Sequence, residues 1–402
     1  MPVSPAFDIT NSAFKANPFP LYAELRRTQP VARARLGKLD AWLISRYDDV
    51  LAALKHERLV KEPRHVQSAQ QRAQQLWVPA FLRPLQTTML DQDEPNHGRL
   101  RALVHKAFTP RRVEQLQGRI QSIADDLLDR AQPQGSLDLL SAFALALPLT
   151  VISELLGVPA ADRERFRSWT KAFLRPPTSL NALRMLPALW AFMRYLRALL
   201  AARRLHAQDD LLSALVQAEE AGDKLSEDEL LAMVFLLLVA GHETTVNLIA
   251  SGTLALLQNP DQLQRLRSRP ELIKPAVEEL LRYTSPVEQA TERYAREELS
   301  LYGQTIRRGE LVLAVLASAN RDEQHFAQPD TLDLTREPNR HLAFGHGVHF
   351  CLGAPLARLE GQIAFNTLLR RLPNLQLAVP ADRLRWRATP FLRGLEALPV
   401  QF

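Results

Sequence analysis

The longest apolar run in the chain, Leu230-Leu-Ala-Met-Val-Phe-Leu-Leu-Leu-Val-Ala240, predicts a helix that is apolar on every side. Ser226-Glu-Asp-Glu229 launches it as a capping box, a hydroxyl at the cap with a carboxylate three residues later. The run falls short of the roughly 18–20 residues of a membrane span, which places it in a protein core. Upstream, the breaker cluster Asn17-Pro-Phe-Pro20 precedes the helical pattern Leu21-Tyr-Ala-Glu-Leu-Arg26. Trp42-Leu-Ile-Ser45 reads as a short strand, and Asp48-Asp49-Val-Leu-Ala-Ala-Leu54 as a short helix with acids at its start. Residues 61–90 are Gln-rich and broken by Pro63, Pro79 and Pro84, the pattern of a long irregular connection. Residues 113–220 are mostly helical by periodicity, with breaks at Pro133-Gln-Gly135, Gly157-Val-Pro159 and Pro176-Pro177. Glu271 to Tyr283 is a further helix, and strands at 299–306 and 310–317 flank Arg307-Arg-Gly309 as a hairpin turn.

Composition narrows the class. With 46% hydrophobic and 23% charged residues, the 402-residue chain is globular, and its length alone suggests two or three domains. The net charge of +6 comes from scattered Arg, with no basic stripe or binding motif, so nucleic acid is not an expected partner. An acidic protein partner fits the charge equally well. The start, Met1-Pro-Val-Ser-Pro-Ala-Phe-Asp, has no apolar stretch behind a basic one, so a cytoplasmic protein without a membrane anchor is expected. Cys351 is the single cysteine, which excludes an intramolecular disulfide and a multi-cysteine metal cage, and fits a reducing compartment.

That cysteine lies in Phe344-Gly-His-Gly-Val-His349-Phe-Cys351-Leu-Gly353, ahead of Ala354-Pro355-Leu356. Pro355 suits the first turn of a helix, whose orphan amides and positive dipole end favour thiolate over thiol. Three glycines permit close backbone approach. Such a loop can hold a sulfur anion against a large flat group; the alternative is a buried, inert cysteine. The pattern Phe-Gly-x-Gly-x-His-x-Cys-x-Gly resembles the haem-ligand loop of the cytochrome P-450 family, the haem-thiolate monooxygenases. The resemblance implies that Cys351 ligates the iron of haem b and that His349 contacts a haem propionate. It also implies that Phe344 packs against the loop and that Gly345 and Gly353 help to hold the cofactor.

Other segments fall in the family's order. Gly241-His-Glu243-Thr244 puts an acid and a hydroxyl at core depth. By itself this reads as a helix bend with threonine bonded to an upstream carbonyl. With Ala240 it also resembles the family's oxygen-activation motif, in which Gly241 opens the helix, Thr244 orders a water and Glu243 relays protons. His97 and Arg101 share one helix face, either as solvated surface residues or, by resemblance, as propionate contacts. Glu279 and Arg282 could be a surface pair; the resemblance implies a buried Glu-x-x-Arg locked to a third arginine, for which Arg336 is the candidate. It further places Arg293 on a propionate and Leu85, Val239, Ala240, Val287, Ala290 and Phe391 in the substrate cavity. Glu288 departs from the apolar character expected there, either turning away from the cavity or recognising a polar or cationic group.

The resemblance spans essentially the whole chain and implies one mainly α domain with a small β-rich lobe over residues 1–402. It implies insertion of one oxygen atom from dioxygen into a C–H or C=C bond of a lipophilic molecule, of fatty-acid, terpenoid, steroid or polyketide type, as in secondary metabolism. Electrons would come from NAD(P)H through a separate ferredoxin and ferredoxin reductase. Arg99, Lys106, Arg111, Arg112 and Arg358 are candidates for their docking patch, or scattered solubilising charge. A peroxide-driven peroxygenase is the alternative within the fold, against which Glu243-Thr244 counts; a non-catalytic haem sensor or carrier is a third reading. Replacing Cys351 by Ser is expected to abolish the strongly red-shifted Soret band of the reduced, carbon monoxide-treated protein. A band unchanged in Cys351→Ser would remove Cys351 as the ligand.

Overall fold

The computed structural model describes residues 7–68, 82, 84–85, 88–173, 179–220 and 225–402. Much of the 61–90 connection and the Pro176-Pro177 break lie outside these residues. The chain begins α1 (Ser12–Ala16), α2 (Phe19–Thr28), β1 (Val31–Leu36), β2 (Leu39–Ile44), α3 (Tyr47–Lys55) and β3 (Leu59–Val60). Helices α4 (Asn96–Ala107), α5 (Pro110–Gln115) and α6 (Gln117–Ala131) lead to β4 (Ser136–Asp138). Next come α7 (Ala146–Leu155), α8 (Arg163–Phe173), α9 (Ser179–Leu205), α10 (Leu211–Glu220) and α11 (Glu227–Gln258). Helices α12 (Pro260–Ser268) and α13 (Ile273–Thr284) precede β5 (Arg293–Ala295), β6 (Leu299–Leu301), β7 (Gln304–Ile306) and β8 (Leu311–Ala314). The chain closes with α14 (Leu316–Ala319), α15 (Ala354–Arg371), β9 (Gln376–Leu377) and β10 (Pro399–Gln401). Two compact units result: Met1–Gln75 with Gln121–Leu145 and Thr244–Phe402, and Leu76–Ile120 with Ala146–Glu243.

In the first unit a five-stranded sheet runs in the order β1-β2-β8-β5-β3. The β2–β8 pair is parallel and the other pairs are antiparallel. Period-2 alternation assigns its faces. Trp42, Ile44, Val312 and Ala314 pack with Val50 and Leu54 of α3, while Leu43, Leu311 and Leu313 pack with Ile9, Tyr22 and Leu25. The strand expected at 42–45 is β2, shifted to 39–44 and buried on both faces from Ala41 on. The expected hairpin around Arg307–Gly309 is not formed. Instead β6 pairs with β7 across Tyr302 and Gly303, both at positive φ (51° and 71°), the two-residue turn that suits a hairpin's twist. Strand β8 leaves that hairpin to pair with β2 and β5, and it ends before α14 begins at Leu316.

In the second unit, α8 and α9 pack through Phe166, Trp169, Phe192 and Tyr195. Arg203 Nε donates to Asp210 Oδ2 at 2.5 Å and its Nη2 to the Gly157 carbonyl at 2.7 Å, tying α9 to the turn after α7. Gly157 sits at φ +70°, and a Cβ there would lie 2.0 Å from the Asp210 carboxylate, so only glycine fits.

Helix α11 carries the capping box: Glu229 N donates to Ser226 Oγ (3.2 Å) and Ser226 N to Glu229 Oε2 (2.8 Å). It continues well past the apolar run, to 32 residues. The expectation that no segment is long and apolar enough for a membrane is therefore corrected. By length and composition α11 qualifies, because Val246–Leu257 extends the apolar stretch; 61% of the qualifying window is buried within the protein.

The charge of Glu288 also finds its explanation. Glu288 is fully buried, paired with the buried Lys15 ammonium of α1, and accepts from Tyr22 Oη of α2 at 2.7 Å. It turns toward the N-terminal helices. Lys15 Nζ reaches the Pro390 carbonyl (3.3 Å), and Arg393 Nε donates to the Lys15 carbonyl (2.9 Å). Burial pushes the Lys15 pKa down, and the Glu288 carboxylate beside it offsets only part of that. Removing one member of such a pair strands a buried charge. Lys15→Met is therefore expected to lower the unfolding free energy in urea by about 3–5 kcal/mol. Lys15→Met/Glu288→Met should recover most of it; a double variant as unstable as the single would contradict the pairing argument.

Candidate functional site

The Cys351 loop is shaped by glycines. Gly345 and Gly347 sit at φ +68° and +75°, and a Cβ on Gly347 would come within 3.2 Å of the Leu54 carbonyl. The loop tightens into a short 3-10 turn, Gly347–His349, and the Cys351 amide donates to the Phe344 carbonyl at 3.0 Å. Helix α15 then starts at Ala354, with Pro355 in its first turn and no side-chain cap at Gly353. The half-buried Cys351 thus stands just ahead of orphan helix amides, which favour its ionised form. Val348 and Phe350, on either side of His349, are 55% and 39% exposed. Two apolar side chains held out beside a sulfur suit the flat apolar face of a porphyrin, so the residues present fit a haem. Among the described residues no cluster of three or more His, Cys, Asp or Glu side chains could hold a metal ion.

The loop is braced from behind. Phe344 stacks edge-on with Phe350, ring centroids 6.3 Å apart, and the Arg358 guanidinium lies over the Phe344 ring at 4.5 Å. Arg358 Nε and Nη2 donate to both oxygens of Glu278 (2.7 and 2.8 Å), and His341 Nε2 lies 3.1 Å from Glu278 Oε2. Arg358, a docking-patch candidate by sequence, is therefore committed to Glu278. Arg99 likewise pairs with Glu229, and Arg112 lies 3.7 Å from Asp209.

The next residue along α13 anchors a larger network. Glu279 and Arg282 are both fully buried and joined by two hydrogen bonds of 2.8 Å. Arg336 Nε (3.1 Å), Asn339 Nδ2 (3.1 Å) and the Asp333 amide (3.0 Å) also donate to Glu279. Arg282 spends its other donors on the carbonyls of Asn320, Pro329 and Thr331. The structure thus brings Glu279, Arg282 and Arg336 together in the interior, where the surface-pair reading does not apply.

Arg293 is buried on β5 and donates to the Thr291 carbonyl at 3.1 Å. Val287 bridges to Leu392, and the amides of Glu288 and Gln289 point at the Phe391 carbonyl (2.9 and 3.4 Å), so these two cavity candidates are neighbours. Ala290 belongs to the sheet core and Val287 and Phe391 are half-buried against it, so all three also serve packing. Thr244 is half-buried; Thr245 is buried.

In the second unit, His97 on α4 is only 1% exposed and its Nδ1 lies 3.2 Å from Glu94 Oε1, which a solvated surface residue would not show. Arg101, one turn on, is half-buried, as are Leu85, Val239 and Glu243, while Ala240 is exposed. Helix α11 runs unbroken through Gly241, so the expected opening is not seen; a Cβ there would lie 3.3 Å from Ile152 Cδ1. His242, which sequence reasoning passed over, is fully buried with Nδ1 2.6 Å from the Leu238 carbonyl.

Sequence reasoning also missed Glu360, nine residues after the cysteine on α15. Its carboxyl oxygens are buried, and no hydrogen bond of ordinary geometry reaches them among the described residues. Burial raises its pKa to about 8 and outweighs the opposing effect of the nearby Thr245 hydroxyl. No motif marks a glutamate on an apolar helix face; its companion becomes visible only when α11 and α15 are placed together.

Comparison with known proteins matches this architecture to a single family. The family model for Cytochrome P450 matches residues 192–271 and 267–377. The polyketide biosynthesis cytochrome P450 PksS of Bacillus subtilis is 48% identical over 391 residues, 96% of each chain. The cytochrome P450 monooxygenase PikC of Streptomyces venezuelae is 47% identical over 97% of this chain and 92% of that protein. The solved structure of myxobacterial cytochrome P450 CYP267B1 with myristic acid superposes with a TM-score of 0.91 at 46% identity, covering 98% of both chains. The chain belongs to the cytochrome P450 family. It has the mainly helical fold of that family with small β-sheets, and it is a monooxygenase that uses haem b, dioxygen, an organic substrate and redox partners.

Glu360 gives a testable pH dependence. Its folded pKa of about 8 lies above the ordinary 4.5, so folding favours the protonated form. The stability this contributes is complete below about pH 4.5 and is lost as pH rises through 8. Glu360→Gln, neutral at every pH, is expected to raise Tm relative to the parent at pH 8.5 and to change it little at pH 5. Equal Tm differences at both pH values would refute the shifted pKa.

Proposed function

We propose that Cys351 is the thiolate that would hold the haem iron and that the chain works as one cytoplasmic haem-thiolate domain oxidising a lipophilic polyketide or fatty-acyl molecule. The observation that carries the ligand assignment is the glycine-shaped loop that holds the single cysteine against helix amides beside exposed Val348 and Phe350. Bound there, haem supplies the activation of dioxygen, with thiolate electron donation favouring O–O cleavage. Arg293 and His349 in the first unit are proposed for haem carboxylates, as His97 and Arg101 are in the second, all being hydrogen-bond donors that can offset anionic charge.

The protein's own task is to deliver protons and to keep water otherwise out. Glu243 exchanges its proton with solvent, and the Thr244 hydroxyl orders the water that passes it on. In the first unit Val287, Ala290 and Phe391 are apolar groups for the substrate, and Glu288 among them is already consumed by Lys15 and Tyr22; in the second unit Val239 and Ala240 are the apolar groups assigned to it. The substrate class draws further support from relatives. A mycinamicin IV hydroxylase/epoxidase of Micromonospora griseorubida is 45% identical, and CYP267B1 was solved with myristic acid. Electrons come from a ferredoxin and its NAD(P)H-dependent reductase.

Coupled consumption of NADPH with oxygenated product, in the presence of a ferredoxin and its reductase, tests this reading. Thr244→Ala is expected to retain haem and NADPH consumption while oxygenated product falls by roughly a hundredfold, the lower end of the 10²–10⁴ range of proton-transfer catalysis, and hydrogen peroxide rises. Unchanged coupling would refute the role of Thr244.

A further inference from the structure

Glu278 and Arg358 have no part in the chemistry above, yet they lie directly behind the cysteine loop. Arg358 is in the second turn of α15, the helix whose amides face Cys351, and its guanidinium covers Phe344 at 4.5 Å. The Phe344 carbonyl in turn accepts the Cys351 amide. The bidentate clasp of Arg358 by Glu278, at 2.7 and 2.8 Å, joins α15 to α13. His341 closes the arrangement. Its Nδ1 accepts from the Ala343 amide (3.2 Å), so the proton sits on Nε2 and is donated to Glu278 Oε2 (3.1 Å). Glu278, Arg358, His341, Phe344 and Cys351 are thus linked in one half-buried chain of contacts, in which a cation lies against the ring whose backbone holds the cysteine and an anion holds the cation.

We propose that Glu278 and Arg358 are positioning residues that act as opposed charges on the Cys351 thiolate, Arg358 withdrawing electron density from the sulfur and Glu278 limiting that withdrawal. The pair sets how readily the iron accepts its electron, and His341 fixes the carboxylate in place. The inference rests on the reading that Cys351 carries the haem. Two further observations support it. The Cys351 charge contributes, after Glu278, to raising the Arg358 pKa. Burial pushes Glu278 up, but the bonds from Arg358 and His341 outweigh this and hold it at about 2, so it is anionic at every working pH. Charges acting through the interior of a protein interact more strongly than charges in water.

The test is the reduction potential of the haem-loaded protein, read beside the carbon monoxide spectrum. Glu278→Gln leaves the cation unopposed and is expected to raise the ratio of ferrous to ferric protein at a fixed applied potential. Arg358→Gln removes the cation and is expected to lower it. Each change should be on the order of tenfold, about 59 mV for one electron. Arg358→Lys keeps the charge and should stay near the parent, as should Glu278→Gln/Arg358→Gln. Opposite signs in the two single variants are what a purely structural clasp would not produce. Shifts of the same sign, or none, with the thiolate-type band intact would overturn the proposal alone. Absence of that band from the parent protein would overturn the ligand assignment and this inference with it.

Discussion

A carboxylate with no access to water governs how the segment before the cysteine is laid down. Glu279 is fully buried, and an ionised group in that position survives only with its hydrogen-bonding capacity filled. Arg282 supplies two bonds, and Arg336, Asn339 and the Asp333 amide supply the rest. Three of those donors come from residues 333–339, a stretch without regular structure among the described residues. Arg282 meanwhile collects carbonyls from 320, 329 and 331. One carboxylate–guanidinium pair on α13 therefore does for residues 320–339 what a sheet or helix would do elsewhere. Asn320 passes the order on, its Oδ1 accepting the Leu342 amide two residues before Phe344.

The cysteine loop thus receives its shape from three sides. The Glu279 network delivers the chain to Leu342, the glycines at 345 and 347 turn it, and α15 receives it at Ala354. Each contribution is of a different physical kind: buried charge, backbone freedom and a helix terminus. Their convergence on one half-buried sulfur explains why a single cysteine suffices. The same economy holds elsewhere in the first unit, where Lys15 satisfies Glu288 and reaches the Pro390 carbonyl. Two of the segments assigned to the substrate wall are thereby fixed from the N-terminal helix.

Local signals were readable in the chain itself. The capping box at Ser226, the proline at the head of α15 and the spacing of the cysteine loop depend on neighbours a few residues apart. Where partners are distant, the sequence was silent or misleading. Glu278 and Arg358 are 80 positions apart, and Lys15 and Glu288 are 273 apart, so neither pairing has a local signature. The hairpin was misplaced by one turn because Arg307-Arg-Gly309 offers a plausible bend. Tyr302 accepts a positive φ that a bulky aromatic seldom adopts. The apolar extent of α11 was underread for another reason: the polar residues 242–245 interrupt the run, whereas the helix passes through them and turns apolar again from Val246.

The strand order of the main sheet has a temporal meaning. Ala41 of β2 pairs in parallel with Leu311 of β8, and β3 at residues 59–60 waits for β5 at 293–295. During synthesis, β1 and β2 emerge with one complete antiparallel partnership and one open apolar edge. That edge stays open until β8, roughly 270 residues later, leaves the ribosome. At about 5–20 residues per second this is an interval of some 15–50 seconds. Throughout it the nascent chain carries an unpaired edge strand, a template for association with other chains. The order in which the protein is made therefore exposes, for most of translation, the seam along which its sheet is finally closed.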